Sequence, residues 1–424
     1  TNSKINMFFI YQILFFFIFL ISPLIIFFRI LKKKDHKTRF LEKFTIFSKK
    51  RKSGNLIWFH GSSVGEILSV IPLIEKYEKD KSINQILVTS TTLSSSKIIN
   101  NFKFKKTIHQ FYVLDLFFLT SRFINFWKPN IAIFIESEIW PSMFKQIHEK
   151  KIPLLLLNAR LTKKTFINWN KFNNFSKSIF QLITKAYPQN YETINFLKKI
   201  GVKKIKFIGN LKFSENYSKK NDRINFKLKN QLKNKKIWIA SSTHYNEEIF
   251  CAKVHMQLKK KIKNLLTIII PRHIDRADTI RNHLRSLNLK VYMHESNLKL
   301  EDDIDVYIVN TYGKTKSFFN YCKNVFLGGS LIDHGGQNPL EAARYGCNIL
   351  HGPHTYNFTE IYNFFKKNNI SQKIDSEKQI ASHLIKYFSK KSNFKIIQKK
   401  INNIGQKILE NTHKEVKLIL KDEI

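Results

Sequence analysis

The sequence predicts two doubly wound α/β domains behind an N-terminal membrane helix. Three observations predict it. One is an uncharged apolar run at residues 7–28. The second is a repeated alternation of short apolar strands with amphipathic helical stretches from Asn55 onward. The third is the gathering of most of the 13 glycines just after those strands.

The apolar run is about the length that spans a bilayer as a helix, interrupted only by Gln12, Ser22 and Pro23. A cleaved signal would have a shorter apolar core and a small-residue cleavage site, and neither is visible. Arg29, Lys32, Lys33, Lys34 and Lys37 follow it, against Lys4 alone before it. The positive-inside rule then places the C-terminal bulk in the cytoplasm. Membrane attachment follows from this composition. A crossing helix is the preferred form of it, and a hairpin lying on the surface is the alternative.

In the first half the strands read 56–60, 85–89, 131–135, 153–157 and 205–208. In the second half they read 237–240, 265–270, 306–309, 324–327 and 347–350. The polar, lysine-rich stretch between the halves is the expected linker. The expected organisation is an anchor at 1–34, an N-terminal domain at 35–209, a linker at 210–236 and a C-terminal domain at 237–424. Sheets of this kind bind ligands at the carboxyl ends of their strands. Glycine there permits close approach of backbone or positive φ, so two rims facing across a cleft are expected.

The formal charge of +42 invites a nucleic-acid reading. The lysines are scattered along the whole chain, so a solvated basic surface is preferred, with favourable attraction to anionic lipid. No nucleic-acid partner is expected. Three widely spaced cysteines, Cys251, Cys322 and Cys347, form neither a disulfide framework nor a zinc site.

The strand ends carry the chemistry. After the first strand comes His60-Gly61-Ser62-Ser63-Val64-Gly65-Glu66. Ser63 and Glu66 have capping-box spacing, and Glu66 could instead be a general base; spacing alone favours the cap. The third strand runs into Glu136-Ser137-Glu138-Ile139-Trp140-Pro141. Carboxylates two apart on a strand share one face, to bind an acceptor hydroxyl or developing positive charge, or merely to be solvated. Arg160 follows the next strand, either paired with one of these acids or free to hold an anion. Lys212 lies in Gly209-Asn210-Leu211-Lys212-Phe213.

In the second half, Ser241-Ser242-Thr243-His244 and Pro271-Arg272-His273 follow two strands. Arg272 suits a phosphate or a structural ion pair. Gly328-Gly329-Ser330-Leu331 and Gly335-Gly336-Gln337-Asn338-Pro339-Leu340-Glu341 come next. Asn338 as N-cap, Pro339 at N1 and Glu341 at N3 would start a helix running through Tyr345. A glycine-rich turn feeding such a helix offers N–H groups to a phosphate. Asp303-Ile304-Asp305 is a bare DxD of low specificity, and neither a metal nor another cofactor is expected.

Taken together, these segments resemble the Kdo transferase family, inverting glycosyltransferases of GT-B architecture that act on CMP-Kdo and lipid A precursors. The resemblance runs in order through HGSSVGE, ESEIWP, NARLT, GNLKF, SSTHYNEE, PRH, GGSL, GGQNPLE and GPHTYNF, nearly everything after the anchor. It implies an inner-membrane enzyme with Glu66 as base and with Glu136 and Lys212 stabilising the transition state. It also implies a CMP site at Pro271, Arg272, Tyr312, Gly313, Lys314, Asn338, Pro339, Leu340 and Glu341. The family's DTMGEL loop is here Asn310-Thr311-Tyr312-Gly313-Lys314-Thr315, so a lysine replaces an acid. Ser142 stands where the family has Asn, and Gln337 where it has His. Other readings are a GT-B enzyme using a different nucleotide sugar and a non-catalytic anchored protein holding anionic lipid or nucleic acid.

Overall fold

The computed structural model describes residues 7–215, 223–294, 301–389 and 394–421. It divides into two compact units. One comprises residues 1–216 together with 404–424, and the other residues 217–403.

In the first unit the described strands are β1 (Leu56–His60), β2 (Gln85–Ser90), β3 (Thr107–Phe111), β4 (Ile131–Ile135), β5 (Leu154–Ala159) and β6 (Lys185–Pro188). They form a parallel sheet in the order β3-β2-β1-β4-β5-β6. β1, β4 and β5 are buried along their whole length, which is why they read as unbroken apolar runs. Trp58, Phe123, Trp127, Phe134 and Phe144 fill the core beside them. The order reverses between β1 and β4, whose paired ends bring His60 opposite Phe134. A doubly wound sheet opens its binding crevice at such a switch point.

The second unit has β7 (Lys236–Thr243), β8 (Leu265–Pro271), β9 (Val291–Met293), β10 (Val306–Ile308), β11 (Asn324–Leu327), β12 (Asn348–His351) and β13 (Ser371–Lys373). The sheet order is β13-β12-β11-β7-β8-β10-β9, all parallel. Its switch point lies between β7 and β11. At the other end of this sheet, His255 lies 2.8 Å from Thr267 and 3.2 Å from Asp305. Asp305 also pairs with Lys259, so the second acid of the DxD is structural.

Several sequence expectations change. Residues 205–208 form no strand. Ile205 makes one isolated bridge to Ala186 of β6, which takes the edge position instead. The short strands β3, β6, β9 and β13 lay hidden because they are the edge strands of the two sheets, with few residues and mixed polarity. The linker stretch contains a 3-10 turn, Leu211–Ser214, and a helix, Phe226–Leu232; residues 216–222 lie outside the described set.

The C-terminal boundary also differs. From Ile404 the chain belongs to the first unit rather than to a domain ending at 424. Glu415 explains this: its carboxylate binds Lys185 at 2.7 Å and Lys206 at 2.6 Å. Ile408, Val416 and Leu420 are buried alongside. Gly405 permits the approach, since a Cβ there would lie 2.2 Å from the Phe213 carbonyl oxygen.

The apolar run forms one helix, Met7–Leu31, long and apolar enough to cross a bilayer. Tyr11 donates to Asp115 at 2.7 Å, and Gln12 reaches Ser142 at 2.6 Å. Phe19 packs edge-on against Phe44 and Phe118. Farther along, Ser22 and Ile26 are buried and Arg29 pairs with Asp35 at 2.7 Å. From Gln12 these contacts are spaced by seven, three, four and three residues, whole helical turns, so a single stripe meets the first unit. Most other large apolar side chains of the helix are exposed.

Candidate active site

The first unit gathers its functional side chains at the β1–β4 switch point. β1 ends at His60, and the helix Val64–Lys79 begins four residues later with the capping box expected from sequence. Ser63 Oγ accepts from Glu66 N at 3.2 Å. The Glu66 carboxylate accepts from Ser62 N at 2.7 Å and from the Ser63 hydroxyl at 2.8 Å. Gly61 makes room for this fold-back, because a Cβ there would stand 3.1 Å from Glu66 Cβ. Cap and candidate base are therefore the same carboxylate. Burial, then the Glu138 charge, pushes the Glu66 pKa above the usual glutamate range, with Glu136 adding to the effect.

Glu136 and Glu138 do not share a strand face as expected. β4 stops at Ile135, and Glu136 turns the chain with φ of 58°, so period-two alternation no longer applies. Glu136, 7% exposed, pairs with Lys212 at 2.6 Å. Lys212 is carried by the turn Leu211–Ser214, which Asn158 and Asn210 fix by accepting from Leu211 N and Lys212 N. Glu138 turns the other way, toward His60, Ser62 and Trp140. Burial raises its proton affinity, but these hydrogen bonds outweigh burial and hold its pKa below the ordinary value. The Arg160 N–H donates to the Glu136 carbonyl at 3.2 Å, bringing β5's end onto the same rim. Of the three catalytic candidates, the structure thus pairs Glu136 with Lys212 and sets Glu66 within electrostatic reach of Glu136.

In the second unit the glycine-rich turn after β11 differs from the expected open phosphate cradle. Glu247, 1% exposed at the start of the helix Glu247–Lys259, occupies it. Its carboxylate accepts from His244 N at 2.9 Å, Gly329 N at 2.7 Å, Ser330 N at 3.1 Å and Leu331 N at 3.0 Å. Gly328 must lack a side chain, since its Cβ would lie 2.7 Å from Glu247 Oε2. The sequence reading missed Glu247. Its position in a helix first turn looked ordinary, and three of its four partners lie more than 80 residues away.

Beside this turn the rim is rich in histidine and arginine. His244 lies 4.2 Å from the ring of His334 and 6.1 Å from that of His273. Burial, His334, His273, Arg272 and Arg276 push its pKa down to about 4. Arg272 follows β8 with its side chain exposed. The expected helix at Asn338 is shorter, Leu340–Arg344, with Pro339 at the cap position. Asn338 Oδ1 nevertheless accepts from Leu340 N at 3.1 Å, the bond that a capping side chain makes two residues on. Tyr312, Gly313 and Lys314 lead into the helix Thr315–Tyr321, whose Lys316 lies 3.8 Å from Glu341. That pair joins two of the three segments expected to hold a nucleotide; Pro271 and Arg272, joined to β7 through Arg272 N and the Thr243 carbonyl, stand beside His244. Among the described residues, no three His, Cys, Asp or Glu side chains converge to hold a metal ion.

Solved structures with this architecture include a UDP-GlcNAc 2-epimerase from Neisseria meningitidis, with a TM-score of 0.57 and 14% identity. The match covers 85% of this chain and 100% of that one. A glycosyltransferase from Rickettsia africae also scores 0.57 at 12% identity, covering 87% of this chain and 100% of that one. Two parallel α/β units of this topology have GT-B architecture. A family profile described as 3-deoxy-D-manno-octulosonic-acid transferase (kdotransferase) matches residues 38–215. The 3-deoxy-D-manno-octulosonic acid transferase of Rickettsia bellii is 32% identical over 88% of this chain and 90% of its own length. That of Haemophilus influenzae is 29% identical over 72% of each. The chain belongs to the 3-deoxy-D-manno-octulosonic acid (Kdo) transferase family, and is a glycosyltransferase of lipopolysaccharide synthesis.

Proposed function

We propose that this enzyme transfers Kdo from CMP-Kdo to a hydroxyl of the lipid A precursor lipid IVA, with Glu66 as general base. The single observation that carries the reading is the state of Glu66. It is a half-buried carboxylate at the sheet's switch point, made more basic than usual by burial and by Glu138. A base of raised pKa accepts a hydroxyl proton more readily.

In this reading Glu66 removes the acceptor hydroxyl proton as that oxygen attacks the anomeric carbon of Kdo. The bond from that carbon to the CMP phosphate oxygen breaks, and CMP leaves with the electron pair. Lys212, held by Glu136, supplies a positioned positive charge in the first unit. Arg272 and the segment Asn338, Pro339, Leu340 and Glu341 bind the CMP moiety in the second unit, with Pro271 and the loop of Tyr312, Gly313 and Lys314. The replacement of the family's acid by Lys314 gives that loop a cationic contact for the phosphate. The Glu247-filled turn shapes this region rather than binding phosphate itself. The helix Met7–Leu31 attaches the enzyme to the inner membrane, where its lipid acceptor resides, with both units on the cytoplasmic side.

The test uses purified full-length protein in detergent with lipid IVA and freshly prepared CMP-Kdo, read by mass spectrometry. A Kdo mass increment that disappears in Glu66→Ala, with CMP binding retained, is the expected result. A folded protein that adds no Kdo, or a Glu66→Ala variant that still adds it, overturns the reading.

A further inference from the structure

Glu138 enters the scheme above only through its charge on Glu66, yet its own carboxylate is tightly held. One oxygen, Oε2, receives three donors: Ser62 Oγ at 2.6 Å, Trp140 Nε1 at 2.9 Å and His60 Nε2 at 3.2 Å. His60 is itself fully buried and fixed. Its Nδ1 lies 2.9 Å from Thr89 Oγ1, which also accepts from Trp58 Nε1 at 2.9 Å. Its ring stacks on Tyr112 at 3.9 Å. Facing the Thr89 hydroxyl through Nδ1 leaves the imidazole Nε2–H to donate to Glu138.

Ser62 is the pivot between two carboxylates. Its N–H donates to Glu66 and its hydroxyl donates to Glu138. Its carbonyl oxygen accepts from Ser95 Oγ at 3.2 Å, Thr91 Oγ1 at 3.4 Å and Thr92 Oγ1 at 3.5 Å. One residue is thus held from three sides and touches both acids. Polar networks satisfied to this degree are rigid. Two neighbouring carboxylates whose surroundings push their proton affinities apart divide into a fixed anion and a proton carrier.

We propose that Glu138 is a positioning residue for the base: a permanent anion, clamped by His60, Ser62 and Trp140, that sets Ser62 and through it the Glu66 carboxylate. The proposal rests on Glu66 acting as the base. When Glu66 takes the acceptor proton, that proton stays on Glu66, and Glu138 keeps its charge beside the new carboxylic acid. The nearby charge therefore favours the protonated form of Glu66 and strengthens it as a base. The opposite shifts of the two groups agree with this division.

The charged and ionisable groups around Glu66 are few. Glu138 and Glu136 come from the segment after β4, with Glu136 paired to Lys212 of the turn Leu211–Ser214. His60 comes from β1. The helix Leu93–Asn100, packed alongside, contributes Ser95 to the network and has Lys97 as its ionisable residue.

The experiment compares full-length wild type with Glu138→Gln, which removes the charge at nearly constant shape. Carbodiimide labels protonated carboxyls, so labelling of Glu66, read by peptide mass spectrometry across a pH series, gives its titration midpoint without any turnover. The expected result is a midpoint moved to lower pH, with the acid limb of the kcat profile moving the same way. Plateau kcat falls about tenfold or more while the KM for CMP-Kdo is unchanged. An unmoved midpoint and acid limb in folded Glu138→Gln overturn the proposal. If that variant does not fold, Glu138→Asp decides, because it keeps the charge but draws the carboxylate away from Ser62. Lower kcat with the midpoint near wild type supports the clamp, and wild-type kcat overturns it. Failure of the wild type to transfer Kdo refutes the assigned reaction, whereas the labelling midpoint still judges the coupling of the two acids.

Discussion

The filled turn after β11 gives the sharpest prediction, through Glu247→Gln. Four backbone N–H groups converge on this carboxylate at 2.7–3.1 Å, two on each oxygen. Glutamine keeps one oxygen and puts an NH₂ against the other two N–H donors, which cannot then be satisfied. Hydrogen bonds to a charged group contribute about 1.5–3 kcal/mol each. Two lost bonds therefore cost about 3–4 kcal/mol, allowing for relaxation at the low end of that range. At about 1.4 kcal/mol per tenfold, local opening of the turn becomes roughly two to three orders of magnitude more frequent. Hydrogen exchange with mass spectrometry, on peptides spanning β11 and the turn, measures this directly. The amides of Gly329, Ser330 and Leu331 should lose protection while β8 retains it. CMP affinity should fall as well, because the turn adjoins His244 and Gln337. Unchanged exchange in a folded Glu247→Gln protein would refute the view that a side-chain anion, rather than a ligand phosphate, organises this turn.

Two further perturbations separate chemistry from architecture. Lys212→Met removes the partner of the buried Glu136 and should lower kcat about a hundredfold, with CMP affinity by calorimetry unchanged because the residues proposed to hold the nucleotide lie in the other unit. Glu415→Gln tests the return of the C-terminal helix. Burial opposes ionisation of Glu415, but hydrogen bonds and charge from Lys185 and Lys206 prevail and bring its pKa down to about 2. A depressed carboxylate pKa contributes stability in full above the ordinary glutamate range near ~4.3. That contribution is lost as pH falls through about 2. The stability difference between wild type and Glu415→Gln in urea titrations should therefore be present at neutral pH and shrink on acidification. A difference independent of pH would count against the ion pairs.

Much was legible in the sequence because the signals were local. Central strands such as β1, β4 and β8 are buried on both faces, so they must be continuously apolar and announce themselves. The long apolar helix is a property of composition over 25 residues. The capping box at Ser63 and Glu66 depends on a spacing of three. The strand-end motifs from His60 to Phe358 sufficed to indicate the family and to nominate Glu66, Glu136, Lys212 and Arg272.

Other features depend on residues distant in the chain, and only the tertiary structure decided them. Whether Glu136 and Glu138 act together could not be read from their spacing, because a positive φ at Glu136 sends them to different partners. Glu247 and the glycine turn are more than 80 residues apart, and nothing local marks that carboxylate as the occupant of the cradle. The return of residues 404–424 to the first unit rests on Glu415 meeting Lys185 and Lys206, over 200 residues away. Among so many lysines, no sequence pattern singles out those two. Periodicity and caps are written in neighbouring residues, whereas the partner of a buried charge is fixed only when the folded chain brings distant segments together.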